Sequence, residues 1–344
     1  MYKFLKYSAV AAVGAALLAG APAKAQSAAD FFKGKTLTIV YGFGSGGTYG
    51  RFSLLFAEYM SKHIPGNPQV IAQSMPGAGG LKAANYAYNV MPKDGTGLYV
   101  PVDTLIVSEL LRPKAVKFKS DKFTWLGNAV QANAVIVVRS DAGINKLEDL
   151  KSKQVIIAST GKGSQTFLMP ALMNAVYGAK FKIVSGYKGS RNLQLAIEQG
   201  EAQGSSLTWL AWSTAKPQWF KPGGFAKPIV QIGFAKDKEL PNVPLASEVV
   251  TDPGDKQIVN FMASMGPIGR GLTVPPGVPA DRVAVLRKAF SDMIADPTFG
   301  PAAKKRKLAV NALSGEEVQK IVNESMKVDE GLLKRARAGI MGAK

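Results

Sequence analysis

Glycine, serine and threonine gather at three places in this chain where an apolar run gives way to a helical pattern, and such places hold anions. The first is Gly42-Phe43-Gly44-Ser45-Gly46-Gly47-Thr48-Tyr49. The second is Pro76-Gly77-Ala78-Gly79-Gly80, and the third is Ser159-Thr160-Gly161-Lys162-Gly163-Ser164. Glycine lets the backbone turn tightly and aim its N–H groups outward. A helix that starts there presents unpaired donors and the positive end of its dipole, so a carboxylate or phosphate is the natural guest.

Other chemistries are poorly supplied. The chain has no cysteine, which excludes disulfides, thiolate metal sites and cysteine nucleophiles. Its single histidine, His63, excludes multi-histidine cages. That residue stands before Pro65-Gly66, where it suits a cation at a helix C-terminus better than a catalyst. Asp94, Asp252 and Asp255 sit singly in turns, without calcium-loop spacing. Gly42-x-Gly44-x-x-Gly47 matches a dinucleotide fingerprint, but the next strand ends in Gln73 and Ser74, where an acid should meet the ribose. There is no Gly-x-Ser-x-Gly elbow. Ser164 with Lys162 leaves a serine–lysine hydrolase on an α/β scaffold as an alternative. The main reading is a binder with no chemistry of its own, needing neither cofactor nor metal.

The elements that must position these loops alternate. Residues 37–41 read as a buried strand, and from 51 to 62 Phe52, Leu55, Phe56 and Tyr59 recur at helical spacing. Strands at 69–73 and 98–102 and helices at 81–90 and 104–111 complete a βαβαβ unit. After two apolar runs at 125–130 and 134–138 the pattern restarts. Strands are expected at 155–158, 181–184, 202–207 and 228–234, with helices at 165–177 and 191–199. The remainder is mostly helical, at 255–265, 280–295, 297–307 and 315–327, with a short strand at 270–274. This is an α/β protein of two lobes, each a mainly parallel sheet flanked by helices, with a cleft between them. The expected division is lobe 1 at 26–131 plus 236–344 and lobe 2 at 132–235.

The start of the chain is a targeting segment. Lys3 and Lys6 precede an apolar run at 9–18, and Ala23-Lys24-Ala25 offers a small-x-small cleavage site. A signal peptide at 1–25, cleaved before Gln26, implies export to the periplasm. Its removal takes three lysines and lowers the formal charge from +19 to +16. Lys304-Lys305-Arg306-Lys307 is the one dense basic run, and no zinc-finger or aromatic-basic signature accompanies it. Nucleic acid is not an expected partner.

A family resemblance lies in the order of several motifs. They are Gly46-Gly47-Thr48-Tyr49, His63-Ile64-Pro65-Gly66-Asn67-Pro68, then Met75-Pro76-Gly77-Ala78-Gly79-Gly80-Leu81 and Pro92-Lys93-Asp94-Gly95-Thr96. Leu147-Glu148-Asp149-Leu150, Gly186-Tyr187-Lys188-Gly189-Ser190 and Pro275-Pro276-Gly277-Val278-Pro279 follow. Together they resemble the Bug-type substrate-binding proteins of tripartite tricarboxylate transporters over nearly the whole mature chain. The resemblance implies a Venus-flytrap periplasmic receptor, monomeric, that closes on a small organic acid and delivers it to a permease of one large and one small subunit. A sensory role, presenting the ligand to a receptor kinase, fits the same resemblance. By motif, Phe43, Ser45, Gly46, Gly47, Thr48 and Tyr49 form one jaw. Thr160, Gly161, Gly163 and Ser164 form the other. Ala78, Gly79, Asp103, Thr104, Tyr187, Lys188, Ser205 and Ser206 are further cleft residues.

One departure stands out. The family's usual aspartate after the Gly-Gly turn, and its arginine in the first helix, fall here on Gly50 and Leu54. Loss of the acid, with Arg51 nearby, implies a pocket mouth less negative than usual, and either a preference for a more anionic or less amino-bearing ligand or a shifted local salt bridge. Trp209, Trp212 and Trp219 could stack on an aryl acid, but their placement reads as packing.

Overall fold

The computed structural model describes residues 28–342, so the expected signal peptide at 1–25 lies outside the described residues. The chain enters through α1 (Ala28–Phe31), β1 (Thr36–Tyr41), α2 (Thr48–His63), β2 (Gln69–Ser74), α3 (Leu81–Asn89), β3 (Gly97–Val100) and α4 (Leu105–Leu111). β4 (Thr124–Asn128) and β5 (Ala134–Arg139) follow in direct succession. The second alternation is β6 (Gln154–Ser159), α5 (Gln165–Tyr177), β7 (Lys180–Ser185), α6 (Ser190–Glu198), β8 (Gly204–Thr208), α7 (Trp209–Ala215) and β9 (Ala226–Ile232). Then come α8 (Ala246–Val249), α9 (Pro253–Ala263), β10 (Gly271–Val274) and α10 (Ala280–Ala295). α11 (Phe299–Lys305), β11 (Leu313–Ser314), α12 (Gly315–Ser325) and α13 (Glu330–Met341) close the chain.

β1 shows why these segments fold as they do. Leu37, Ile39 and Tyr41 join Phe52, Leu55, Phe56 and Tyr59 of α2 in one core cluster, while Val40 faces Leu81, Ala84 and Ala87 of α3. Both faces are covered, so the strand reads as an apolar run without alternation. α2 stops at Ile64, which is extended ahead of Pro65 because a residue before proline is excluded from helical conformation.

The first sheet has six strands in the order β11-β4-β10-β3-β1-β2, and the second has five in the order β7-β6-β8-β5-β9. β1 is parallel to β2 and β3, and β6 is parallel to β7 and β8. These are the two βαβ units expected from the sequence. β10, β11, β5 and β9 pair antiparallel to their neighbours. Both sheets are therefore mixed, because β5 follows β4 without a crossover helix and β10 returns from the other side of the molecule. No helix among the described residues is long and apolar enough to cross a membrane.

The helical remainder divides between the sheets. Leu286, Phe290 and Phe299 cover the first sheet from α10 and α11, and Val318 and Val322 do so from α12. In contrast, Ile258, Val259 and Met262 of α9 and Leu333, Ala336 and Ile340 of α13 pack with Leu168 and Leu172 of α5. The stretch 236–344 therefore does not return as one block to the first sheet, as expected from the sequence. Its apolar faces at α9 and α13 complete the covering of α5.

Candidate functional site

The loops after β1 and β6, both at the carboxyl ends of parallel strands, meet face to face. Each delivers a helix start, and the turn after β7 delivers a third. α2, α5 and α6 begin behind Gly47, Ser164 and Gly189, and none has a side-chain cap. No cap side chain therefore takes their first-turn N–H groups, although in α5 the Phe167 N–H turns back to the Ser164 carbonyl at 3.0 Å. Gly47, Thr48, Ser164, Gln165 and Ser190, from these three starts, line a single cavity. The helices are 16, 13 and 9 residues long, so three dipole ends converge there.

Hydroxyls ring the second jaw. Thr160 Oγ1 donates to Ser164 Oγ at 2.7 Å, Ser164 Oγ lies 2.5 Å from Thr166 Oγ1, and Ser159 Oγ lies 3.1 Å from the same Thr166 oxygen. Lys162 takes no part in this network; its Nζ lies over the Phe167 ring, 6.0 Å from the centroid. The Ser164–Lys162 pair of the hydrolase alternative is therefore not assembled. His63 is distant as well, at the end of α2 with Nε2 3.1 Å from Asp296 Oδ2.

The floor is a buried ion pair. Arg270 Nη1 donates to Asp103 Oδ2 at 3.2 Å, and Nη2 to Thr208 Oγ1 at 3.4 Å. The guanidinium lies over the Tyr49 ring, 4.5 Å from its centroid. The Tyr49 hydroxyl accepts the Asp103 N–H at 2.9 Å. Burial pushes the Asp103 carboxyl above its ordinary value, against the pull of Arg270, and burial likewise raises the Tyr49 phenol. Phe43, stacked 4.7 Å from Tyr49 between centroids, forms an apolar wall with Leu207 and Ala211.

This inner cavity is narrow, about 30 Å³, room for about two waters. Past Phe43 and Thr160 it widens to a mouth of about 300 Å³ between Pro76, Gly77, Ala78, Gly79 and Gly80 on one side and Gly186, Tyr187 and Lys188 on the other. The jaws touch directly. Thr104 Oγ1 and Ser108 Oγ donate to the Gly163 carbonyl at 2.6 and 3.3 Å, and Gly44 N–H donates to the Lys188 carbonyl at 3.1 Å.

Of the residues expected from the sequence, Phe43, Gly47, Thr48, Tyr49, Asp103, Thr160 and Ser164 line the inner cavity. Ala78, Gly79, Tyr187 and Lys188 line the mouth. Thr104 and Gly163 bond the jaws together, and Gly161 lies in the same turn. Ser45 and Gly46 are exposed in the first loop and line neither cavity, and a Cβ on Gly46 would lie 3.3 Å from the Arg191 side chain of α6. Ser205 and Ser206 are buried within β8; Ser205 Oγ donates to the Ala158 carbonyl and the Ser206 hydroxyl has no partner, so neither is a cleft residue here. Gln165, Thr166, Ser190 and Arg270 also line the inner cavity. Ser190 closes the Gly186-Tyr187-Lys188-Gly189-Ser190 motif, and no motif or spacing in the sequence points to the other three as cavity residues.

The departure in the first jaw has a steric cause. A Cβ on Gly50 would sit 2.2 Å from the Ser45 carbonyl oxygen, so the loop folds onto the space an aspartate would need. Leu54 is exposed on α2. Arg51 donates to the Arg306 carbonyl at 2.8 Å, at the end of α11, and to Thr214 Oγ1 at 3.4 Å, and its side chain lines neither cavity. The three tryptophans belong to the core of the second sheet: Trp209 Nε1 donates to Glu239 and Trp212 Nε1 to the Val135 carbonyl.

Two mixed sheets joined by repeated crossings, with a cavity where their parallel strands end, form a fold that this chain shares with solved periplasmic binding proteins. Among solved structures, the periplasmic binding protein BugD superposes with a TM-score of 0.70 at 19% identity, covering 88% of this chain and 97% of that one. MatC of Rhodopseudomonas palustris, solved with bound malate, gives 0.68 at 20% identity, covering 88% and 99%. A curated protein of Cupriavidus necator, described as a UPF0065 protein in the gbd 5′ region, is 24% identical over 345 residues, 96% of each chain. No family model matches the sequence.

Proposed function

We propose that this protein is a periplasmic receptor that closes on a small organic carboxylate and delivers it to a tripartite tricarboxylate transporter permease. The observation that carries the reading is the convergence of three helix starts without side-chain caps, and of Arg270, on one cavity between two sheets. Each lobe holds its own donors rigidly at a helix start, so on closure an anion gains hydrogen bonds from both sides. The likeness to a periplasmic binding protein and to a malate-bound protein supports both the compartment and the ligand class. In this reading residues 28–128 with β10, α10, α11 and α12 form one lobe, and 134–263 with α13 the other. A ligand that touches both lobes stabilises the closed arrangement by its contacts to each.

Thermal melting of the purified protein against mono-, di- and tricarboxylates tests the proposal. At a hundredfold excess over Kd a ligand adds about 2.7 kcal/mol, so Tm should rise by roughly 5 °C or more with at least one acid. Mass spectrometry should recover that acid unaltered. No shift with any acid, or turnover of the acid, would overturn the reading.

A further inference from the structure

Arg270 carries more hydrogen-bond donors than the protein uses. Its side chain is 4% exposed and lines the cavity floor. A guanidinium has five N–H donors, yet among the described residues only Nη1 and Nη2 find partners, at 3.2 and 3.4 Å, while Nε is buried with none. The backbone adds a second sign. Arg270 holds φ +57°, a left-handed conformation that a side chain rarely adopts and that persists where the surroundings must aim a group. On the acceptor side, Asp103 Oδ2 is already paired with Arg270 at 3.2 Å. The floor thus offers spare donors beside a carboxylate that has its counter-ion.

We infer that Arg270 takes the ligand's carboxylate through Nε and an Nη as a two-pronged fork, and that Asp103 is its internal counter-ion instead of a seat for a cationic group. The inference rests on the carboxylate-receptor reading and narrows the ligand class. The bound acid carries a planar oxyanion and no amino group beside it, because an ammonium brought to the floor would meet Arg270 and find Asp103 already engaged.

Calorimetry on the full chain tests this with matched probes: succinate against L-aspartate, glutarate against L-glutamate, and 3-phenylpropionate against L-phenylalanine. In at least one pair the plain acid should bind tighter than its amino counterpart by about tenfold or more. Arg270→Lys keeps the charge but not the fork, and should weaken that acid roughly tenfold. Arg270→Gln alone strands Asp103, so the double variant Arg270→Gln with Asp103→Asn serves as the neutral replacement; it should lose about 100-fold in affinity. If the amino acids bind tighter, or if both variants bind as the wild type does, this inference falls while the receptor reading stands. If neither these probes nor the wider carboxylate panel bind the wild type, both fall.

Discussion

At the scale of single residues, the floor of the cavity depends on hydroxyls that hold charged neighbours in register. Tyr49 is one. Its ring supports Arg270, and its oxygen accepts the buried N–H of Asp103 at 2.9 Å. Replacement by phenylalanine keeps the ring and removes the acceptor, leaving a buried donor without a partner. Tyr49→Phe should lower unfolding free energy by about 1–3 kcal/mol, read as a shift of the urea midpoint at unchanged slope. A midpoint equal to the wild type's would show that the hydroxyl does not hold Asp103. Gly50 makes a related point about space. The loop occupies the volume where a side chain would project, so any residue larger than glycine there requires Ser45 to move.

At the scale of elements, a missing side-chain cap is not confined to the cavity, since α3, α4, α7, α10 and α11 also lack one. α2, α5 and α6 start at the cavity without side-chain caps, whereas α9, α12 and α13 are closed by Asp252, Ser314 and Asp329. The caps tie stability to pH. Backbone N–H bonds hold Asp149, Glu248, Asp252 and Glu317 below their ordinary values, and bonds from Thr298 do so for Asp296. A depressed folded-state value means that the unfolded chain takes up protons first. The stabilisation is complete above the ordinary carboxylate range and is lost as pH falls through the depressed values. Asp103, raised by burial, has the opposite sign but is one group against several. Tm should stay level from about pH 8 to about pH 5 and fall below about pH 4; a Tm that climbs on acidification would contradict the cap assignment. The same elements show what a sequence can tell. β1, α2, β6 and α5 were legible because buried runs and helical spacing are local, and the jaws were legible because glycine, serine and threonine cluster there. Arg270 was not, since its partner Asp103 lies 167 positions away and only the fold brings them together. Nor was the placement of α9 and α13, because an amphipathic helix declares an apolar face without saying which core it covers.

At the scale of the whole molecule, the site and the joint between the sheets are continuous. The chain passes between the sheets at 129–133, at 264–270 and once more between α12 and α13, and the first two passages are bonded to each other: Ala132 N–H donates to the Gly266 carbonyl at 3.2 Å and Ala129 N–H to the Arg270 carbonyl at 3.3 Å. Arg270 thus stands at the end of a connecting segment, where a ligand on its side chain bears on the angle between the sheets. At the open side of the cleft the closest approach is backbone to backbone. Gly79 has φ +69°, and a Cβ there would lie 2.6 Å from Ser164 N; a Cβ on Gly163 would lie 2.5 Å from the Ala78 carbonyl oxygen. Neither neighbour is a flexible side chain that could swing aside, so a methyl group must hold the jaws apart. Gly79→Ala should still fold, at a cost of about 1–2 kcal/mol for the left-handed turn, because the turn carrying it faces the cleft and not a core. Its defect should be closure. With a saturating acid, small-angle X-ray scattering should register a smaller radius of gyration for the wild type and little change for Gly79→Ala, with affinity reduced at least tenfold, about 1.4 kcal/mol. A Gly79→Ala protein that compacts and binds as the wild type does would mean that the glycine contact plays no part in closing the cleft.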